Sequence, residues 1–166
     1  MSSSDRRSLL LLAAAAAGLG ACGFTPVYGP DGGAEALQGQ VRLPDPQARV
    51  AFLLNGRLEN RLGRAGEGAR YALDLDLDTR QEGLGTTADG RTIRFNLMAD
   101  LRYALSDTAT GQEIASGILS EFTGFSTTGS TVATRAAERD AEARLATLLA
   151  DAVVDRITAA AATDSP

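Results

Sequence analysis

The stretch Ile93-Arg94-Phe95-Asn96-Leu97-Met98-Ala99-Asp100-Leu101-Arg102-Tyr103-Ala104-Leu105 decides the fold. Ile93, Phe95, Leu97, Ala99, Leu101, Tyr103 and Leu105 fall on one side of an extended chain. Arg94, Asn96, Asp100 and Arg102 fall on the other, with Met98 and Ala104 as exceptions. A period of two over that length predicts a long strand with one dry face and one wet face. Upstream, Tyr71, Leu73, Leu75 and Leu77 alternate with Ala72, Asp74, Asp76 and Asp78, which predicts a second half-buried strand. Gly83, Gly85 and Asp89-Gly90 make residues 81–90 a loop between them. Downstream, a turn over 107–111 leads to a third strand marked by Ile114, Ile118 and Phe122, with Gly117 a candidate bulge. A shorter strand is expected over 37–43, where Leu37, Val41 and Leu43 share a face.

The flanking segments change period. Val50, Leu54, Leu58 and Leu62 recur every fourth residue and line one side of a helix. Asp45-Pro46 reads as its start and Gly63 as its stop. After a Ser/Thr/Gly-rich loop at 124–131, a long helix runs from about 132 to 159. Ser130 or Thr131 caps it, and Ala137, Ala141, Leu145, Leu148, Ala152, Val153 and Ile157 form its stripe. Each element hides only one side. The economical solution is an α+β domain, two helices packed on one face of a four-stranded, mostly antiparallel sheet. It spans residues 37–162.

The N-terminus reads differently. Arg6 and Arg7 precede the apolar run Leu9–Leu12 with its following alanines, and the run ends in Leu19-Gly20-Ala21-Cys22. This is the pattern of an export signal over residues 1–21, too short to span a bilayer. It marks Cys22, the single cysteine of the chain, as a lipidation site. Residues 22–36 hold Gly23, Pro26, Gly29, Pro30, Gly32 and Gly33 and read as a tether. Phe24, Val27 and Tyr28 form a small cluster able to dock part of it onto the domain.

Composition narrows the chemistry. The net charge is −5, and every basic residue is arginine. An acidic, lysine-free chain argues against nucleic acid as a partner. There is no histidine, so the usual general base and the commonest metal ligand are missing. No catalytic residue, metal site or cofactor is expected. Asp74, Asp76 and Asp78 lack the glycine and later glutamate of a calcium loop, and their spacing fits a solvated strand face. Arg91, Arg94 and Arg102 on or beside the wet face could grip lipid phosphates. They could equally pair with Asp76, Asp78 or Asp100, and Arg94 is expected opposite Asp76 or Asp78. Read in isolation the residues describe any soluble α+β module; one alternative is an accessory lipoprotein of a lipid transporter that binds phospholipid. A carboxylate-based hydrolase is the weakest reading, since no motif supports it.

Cys22-Gly23-Phe24-Thr25-Pro26-Val27-Tyr28-Gly29 resembles the start of the LptE family of lipopolysaccharide-assembly lipoproteins, with Val27 where leucine is common. The similarity continues through Arg57–Leu62, Tyr71–Leu73, Arg102–Leu105 and the Ala133–Arg135 and Asp140–Glu142 stretches. The resemblance implies two helices on a four-stranded sheet and a non-enzymatic role. It implies an anchor in the outer membrane, on the periplasmic side, through the lipid on Cys22. The implied partners are the β-barrel LptD, which the domain plugs and helps assemble, and lipopolysaccharide, which the pair inserts into the outer leaflet. Arg91, Arg94 and Arg102 are then candidate lipopolysaccharide contacts.

Overall fold

The computed structural model describes residues 33–85 and 90–164. Its elements are α1 (Gly33–Leu37), β1 (Val41–Arg42), α2 (Arg49–Leu62), β2 (Tyr71–Gly83), β3 (Arg94–Asp107), β4 (Glu113–Ser126) and α3 (Thr131–Asp164). The sheet order is β1-β2-β3-β4. β1 runs parallel to β2, and the other pairs are antiparallel. The expected α+β architecture is therefore present, with α1 as a short addition.

The long alternation of β3 sets everything around it. Leu97, Ala99, Leu101, Tyr103 and Leu105 are buried against the helices. Leu101 pairs with Leu77 on one side and Leu119 on the other, so the apolar rows of three strands meet across the sheet. α2 closes over this face with Val50, Leu54, Leu58 and Leu62, the four-residue stripe visible in the sequence. α3 adds Ala141, Leu145, Leu149, Val153 and Ile157. Each fully buried leucine contributes about 1.5–3 kcal/mol relative to exposure. Arg49 pairs with Glu142 at 2.7 Å and Arg61 pairs with Asp151. Both pairs advance along the two helices in the same sense, so α2 and α3 run parallel.

The strand ends define two ends of the molecule. At the tip, Leu84 N–H bonds the Arg94 carbonyl and Thr127 N–H bonds that of Ile93. Ser130 Oγ accepts the Ala133 N–H there and caps α3. At the base lie Tyr71, the 107–111 turn, the last turn of α2, and α1 packed on the end of α3. Gly33 has no room for a side chain: a Cβ there would meet the Thr158 carbonyl and lie 2.5 Å from Ala162 N.

Several sequence expectations change. The strand expected over 37–43 pairs only at Val41–Arg42, because Leu37 closes α1 and Gly39 turns the chain with φ +67°. α2 begins at Arg49 with Ala48 as an uncapped N-cap, and not at Asp45-Pro46. Leu43 and Asp45 each precede a proline and so avoid helical backbone. Asn55 Nδ2 donates to the Pro44 carbonyl at 2.6 Å and holds this entrance against the helix. β2 continues to Gly83, since β3 offers it partners as far as Phe95, and the expected 81–90 loop shrinks accordingly.

β4 departs most. Ala115 pairs with Leu105 while Glu113 pairs with Ser106, which leaves Ile114 as the bulged residue. Gly117 is regular; its missing side chain makes room for Tyr103, whose Oη a Cβ would meet at 3.0 Å. Ala115, Gly117, Leu119, Thr123 and Phe125 consequently face the helices. Ile118 (66% exposed) and Phe122 (61%) face away from them. On α3 the stripe passes through Leu149, which is buried, and leaves Leu148 43% exposed.

Candidate functional site

The outer sheet face, opposite the helices, carries the charges of β2 and β3. Alternation puts Asp74, Asp76, Asp78 and Arg80 of β2 and Arg94, Asp100 and Arg102 of β3 on it. Registry then selects the pairs. Arg102 sits opposite Asp76 and donates to it at 2.8 Å. Arg94 lies opposite Ser126 of β4 and not opposite Asp76 or Asp78, because β2 continues to Gly83, which pairs with Phe95 and sets Asp78 and Asp76 opposite Asp100 and Arg102. Asp78 faces Asp100, a like-charge pair. Arg80, two residues along, binds Asp100 and relieves it. Ser120 Oγ also donates to Asp100 at 2.6 Å. The Ser120 hydroxyl foremost, then the Arg80 guanidinium, hold the Asp100 carboxyl below its ordinary range. The same hydrogen bond raises Arg80. Two of the arginines on this face, Arg80 and Arg102, are thus ion-paired within it, whereas Asp74, Asp78 and Arg94 enter no ion pair there among the described residues.

The three candidate arginines do not form one cluster. Arg94 opens β3 at the tip and makes no ion pair among the described residues. Arg91 lies in the preceding turn, exposed. Arg102 stands eight residues further along β3, about 26 Å from Arg94 at strand rise. It is engaged by Asp76. Arg91 and Arg94 lie three residues apart at the tip; Arg102 belongs to another part of the face. Beneath Arg94 is an open recess of about 410 Å³ lined by Leu84, Phe95, Asn96, Phe125 and Ser126. Phe95 and Phe125 stack there at 5.6 Å between ring centroids. The recess was not anticipated. Leu84 between Gly83 and Gly85 was its signal, an apolar residue in a turn otherwise built from glycine and polar groups.

A second concavity, of about 580 Å³, lies along the solvent side of α3. Arg57 of α2 borders it on one side and Phe122 and Gly124 of β4 on the other, with Ala143, Thr147 and Leu148 as floor. Arg144 reaches across from α3 and donates to the Gly124 carbonyl at 3.1 Å. That carbonyl therefore points away from β3. By strand alternation the backbone groups of Ile118, Ser120 and Phe122 point the same way. β4 is thus an edge strand whose rim is capped only at Gly124 among the described residues.

Among the described residues no group of carboxylates, cysteines or histidines is arranged to hold a metal ion. No helix among them is long and apolar enough to cross a membrane. Cys22, with Phe24, Val27 and Tyr28, lies outside the described residues.

The comparisons agree with this architecture. A lipoprotein of Caulobacter crescentus CB15 superposes with a TM-score of 0.66 at 22% identity, covering 81% of this chain and 98% of that one. The minor lipoprotein of Acinetobacter baumannii gives a TM-score of 0.51 at 17% identity, covering 72% and 88%. Lipoprotein B of Nitrosomonas europaea gives 0.50 at 14%, covering 72% and 80%. At such identities the likeness establishes the fold. No curated protein shows significant sequence similarity. Residues 38–157, from the end of α1 to the last buried turns of α3, match the family model described as lipopolysaccharide-assembly. A meander on a βαβ start, backed by two parallel helices and matched over that whole span, makes this chain a member of the LptE family of lipopolysaccharide-assembly lipoproteins.

Proposed function

We propose that this protein is a non-catalytic plug and assembly factor for the LptD β-barrel. Lipid on Cys22 moors it to the periplasmic leaflet of the outer membrane, and with the barrel it delivers lipopolysaccharide to the outer leaflet. The family match over residues 38–157 carries the reading. The outer sheet face supports it physically. A barrel lumen wide enough for a domain is wet, and a plug needs a polar wall that does not demand charges from its host. The Arg102–Asp76 and Arg80–Asp100–Ser120 pairs make such a wall.

Arg91 and Arg94, both exposed at the tip, with Arg94 bordering an apolar recess, are the pair proposed to meet lipopolysaccharide phosphates. Arg102 would contribute separately, after release from Asp76. The reading is tested by purifying the tagged lipoprotein from membranes in mild detergent. One large outer-membrane barrel should accompany it, and its absence would sink the proposal. In the same preparation, Arg91→Ala with Arg94→Ala should lower the recovered lipopolysaccharide while leaving the barrel bound. Cys22→Ser should move the protein from the membrane to the soluble fraction.

A further inference from the structure

β2 has an open edge of its own. Tyr71 N–H donates to the Gln40 carbonyl at 2.9 Å, so the backbone groups of the odd-numbered β2 residues point away from β3. β1 meets them only at Val41–Arg42, opposite Tyr71 and Ala72. The chain then reads Leu43-Pro44-Asp45-Pro46, and two residues without an N–H cannot carry the ladder on. Asn55 of α2 takes the Pro44 carbonyl instead. Leu75, Leu77, Thr79 and Gln81 thus present N–H and C=O groups along this edge with no backbone partner among the described residues.

Two features beside the edge select an occupant. On the helix side, between β2 and the start of α2, lies a cavity of about 190 Å³ walled by Pro46, Val50, Leu54, Leu75, Leu77 and Thr79. Small-molecule sites usually hold roughly 300–1,000 Å³, so this one suits a single apolar side chain. On the outer side Asp74, Asp76 and Asp78 stand exposed in one row. Arg102 takes Asp76, while Asp74 and Asp78 enter no ion pair among the described residues. A strand laid against β2 alternates in phase with it. Its residue beside Leu77 points to the cavity, and the neighbours of that residue fall beside Asp76 and Asp78. The edge therefore calls for an apolar residue flanked by cations. A second copy does not supply this. Its β2 would set the acid row against the same acid row, and the outer face of its β4 carries Ile118, Ser120 and Phe122, none of them a cation.

We propose that the β2 edge from Leu75 to Gln81 takes up an extended segment of another polypeptide, alternating basic and apolar residues, as an added strand. Its main chain satisfies the outward groups of Leu75, Leu77, Thr79 and Gln81. One apolar side chain enters the cavity against Val50 and Leu54, and the flanking arginines or lysines meet Asp74 and Asp78. The surface lies on the opposite edge of the sheet from β4, and nothing in its chemistry rests on the barrel or on lipopolysaccharide.

The test uses the mature chain with Cys22→Ser and a synthetic heptapeptide, Arg-Val-Arg-Leu-Arg-Val-Arg, with blocked ends. Saturable binding is expected in fluorescence anisotropy, with amide exchange across residues 74–83 slowed at least about fivefold. Thr79 is exposed and its N–H serves no ladder bond, so Thr79→Pro blocks the edge while keeping the pairing with β3 and every charge. It should weaken the peptide at least about tenfold, and Asp78→Asn should weaken it about threefold. A peptide N-methylated at every residue reads the same backbone bonds on the parent protein, whether or not Thr79→Pro folds, and should lose at least about tenfold in affinity. Ile118→Pro, on the β4 edge, should leave binding unchanged. No binding by the parent overturns the proposal, as does Thr79→Pro or the N-methylated peptide binding like the parent pair. Loss of binding with Ile118→Pro alone would place the strand on β4 and overturns it. Self-association that competes with the peptide and vanishes in Thr79→Pro would assign the edge to a second copy and overturns it too.

Discussion

Two glycines show how differently the same residue can matter. At Gly33 a Cβ would enter the backbone of α3, where neither the Thr158 carbonyl nor Ala162 N can move without breaking a helical turn. Gly33→Ala should cost about 1–3 kcal/mol, as other overpacked sites do. At Gly56, inside α2, a Cβ meets nothing within 4 Å. Gly56→Ala should stabilise by about 0.5–1 kcal/mol through helix propensity. Urea unfolding of the two variants beside the parent checks both signs, and similar midpoints for the two would contradict the packing described. Sequence alone shows neither difference. Gly33 sits in a glycine-rich stretch that reads as tether, and only its contact with a segment more than a hundred residues away reveals it as packed. Thr158 belongs to the same seat; its hydroxyl is buried without a partner among the described residues.

At the scale of elements, β2 and β3 were legible because their alternation is long enough to fix both length and face. α2 was legible for the same reason at period four. β4 was not. Its Ile114, Ile118 and Phe122 invite an inward reading, but a single bulged residue sets the phase of the strand against β3. The bulge sits at Ile114, and Gly117 is glycine because Tyr103 lies over it across the ladder; no period in β4 records either fact. Mutation can read the phase directly. Ile118→Ser should change stability by no more than about 0.5 kcal/mol, as expected for an exposed site. Leu101→Ala, at the centre of the same sheet and fully buried, should cost about 2–5 kcal/mol. Thermal melts that reverse this order would mean that β4 lies in the other phase. The arginines divide the same way. Their residence on or beside the wet face was readable from sequence, whereas the partner of Arg102 and the isolation of Arg94 are matters of register.

The described residues enclose one core, and the response to acid follows from where the carboxylates around it are held. Asp107 accepts the Thr110 N–H, the Arg70 guanidinium and the Ala109 N–H, and its carboxyl lies below the ordinary range for that reason. Asp100 is lowered by Ser120 and Arg80. A carboxyl more acidic in the folded than in the unfolded chain binds fewer protons when folded. Its stabilisation is full above the unfolded value, near pH 4, and disappears as pH falls through the folded value. Stability should therefore be level from about pH 7 to 5 and fall below about pH 4. Asp107→Asn should flatten part of that fall while lowering the plateau, because the amide no longer attracts Arg70. Denaturant midpoints measured across the range check it; an acid limb unchanged in slope would show that Asp107 is not among the groups responsible.

The rim of β4 has one further meaning. From Ser116 to Phe122 the backbone still offers donors and acceptors to whatever lies alongside, and Arg144 closes only the far corner at Gly124. No lysine or proline stands guard there. Crowded together without company, such molecules can extend one another's ladders sideways, each margin templating the next into fibrous growth. A neighbour that occupied this margin would satisfy those groups and take the template away.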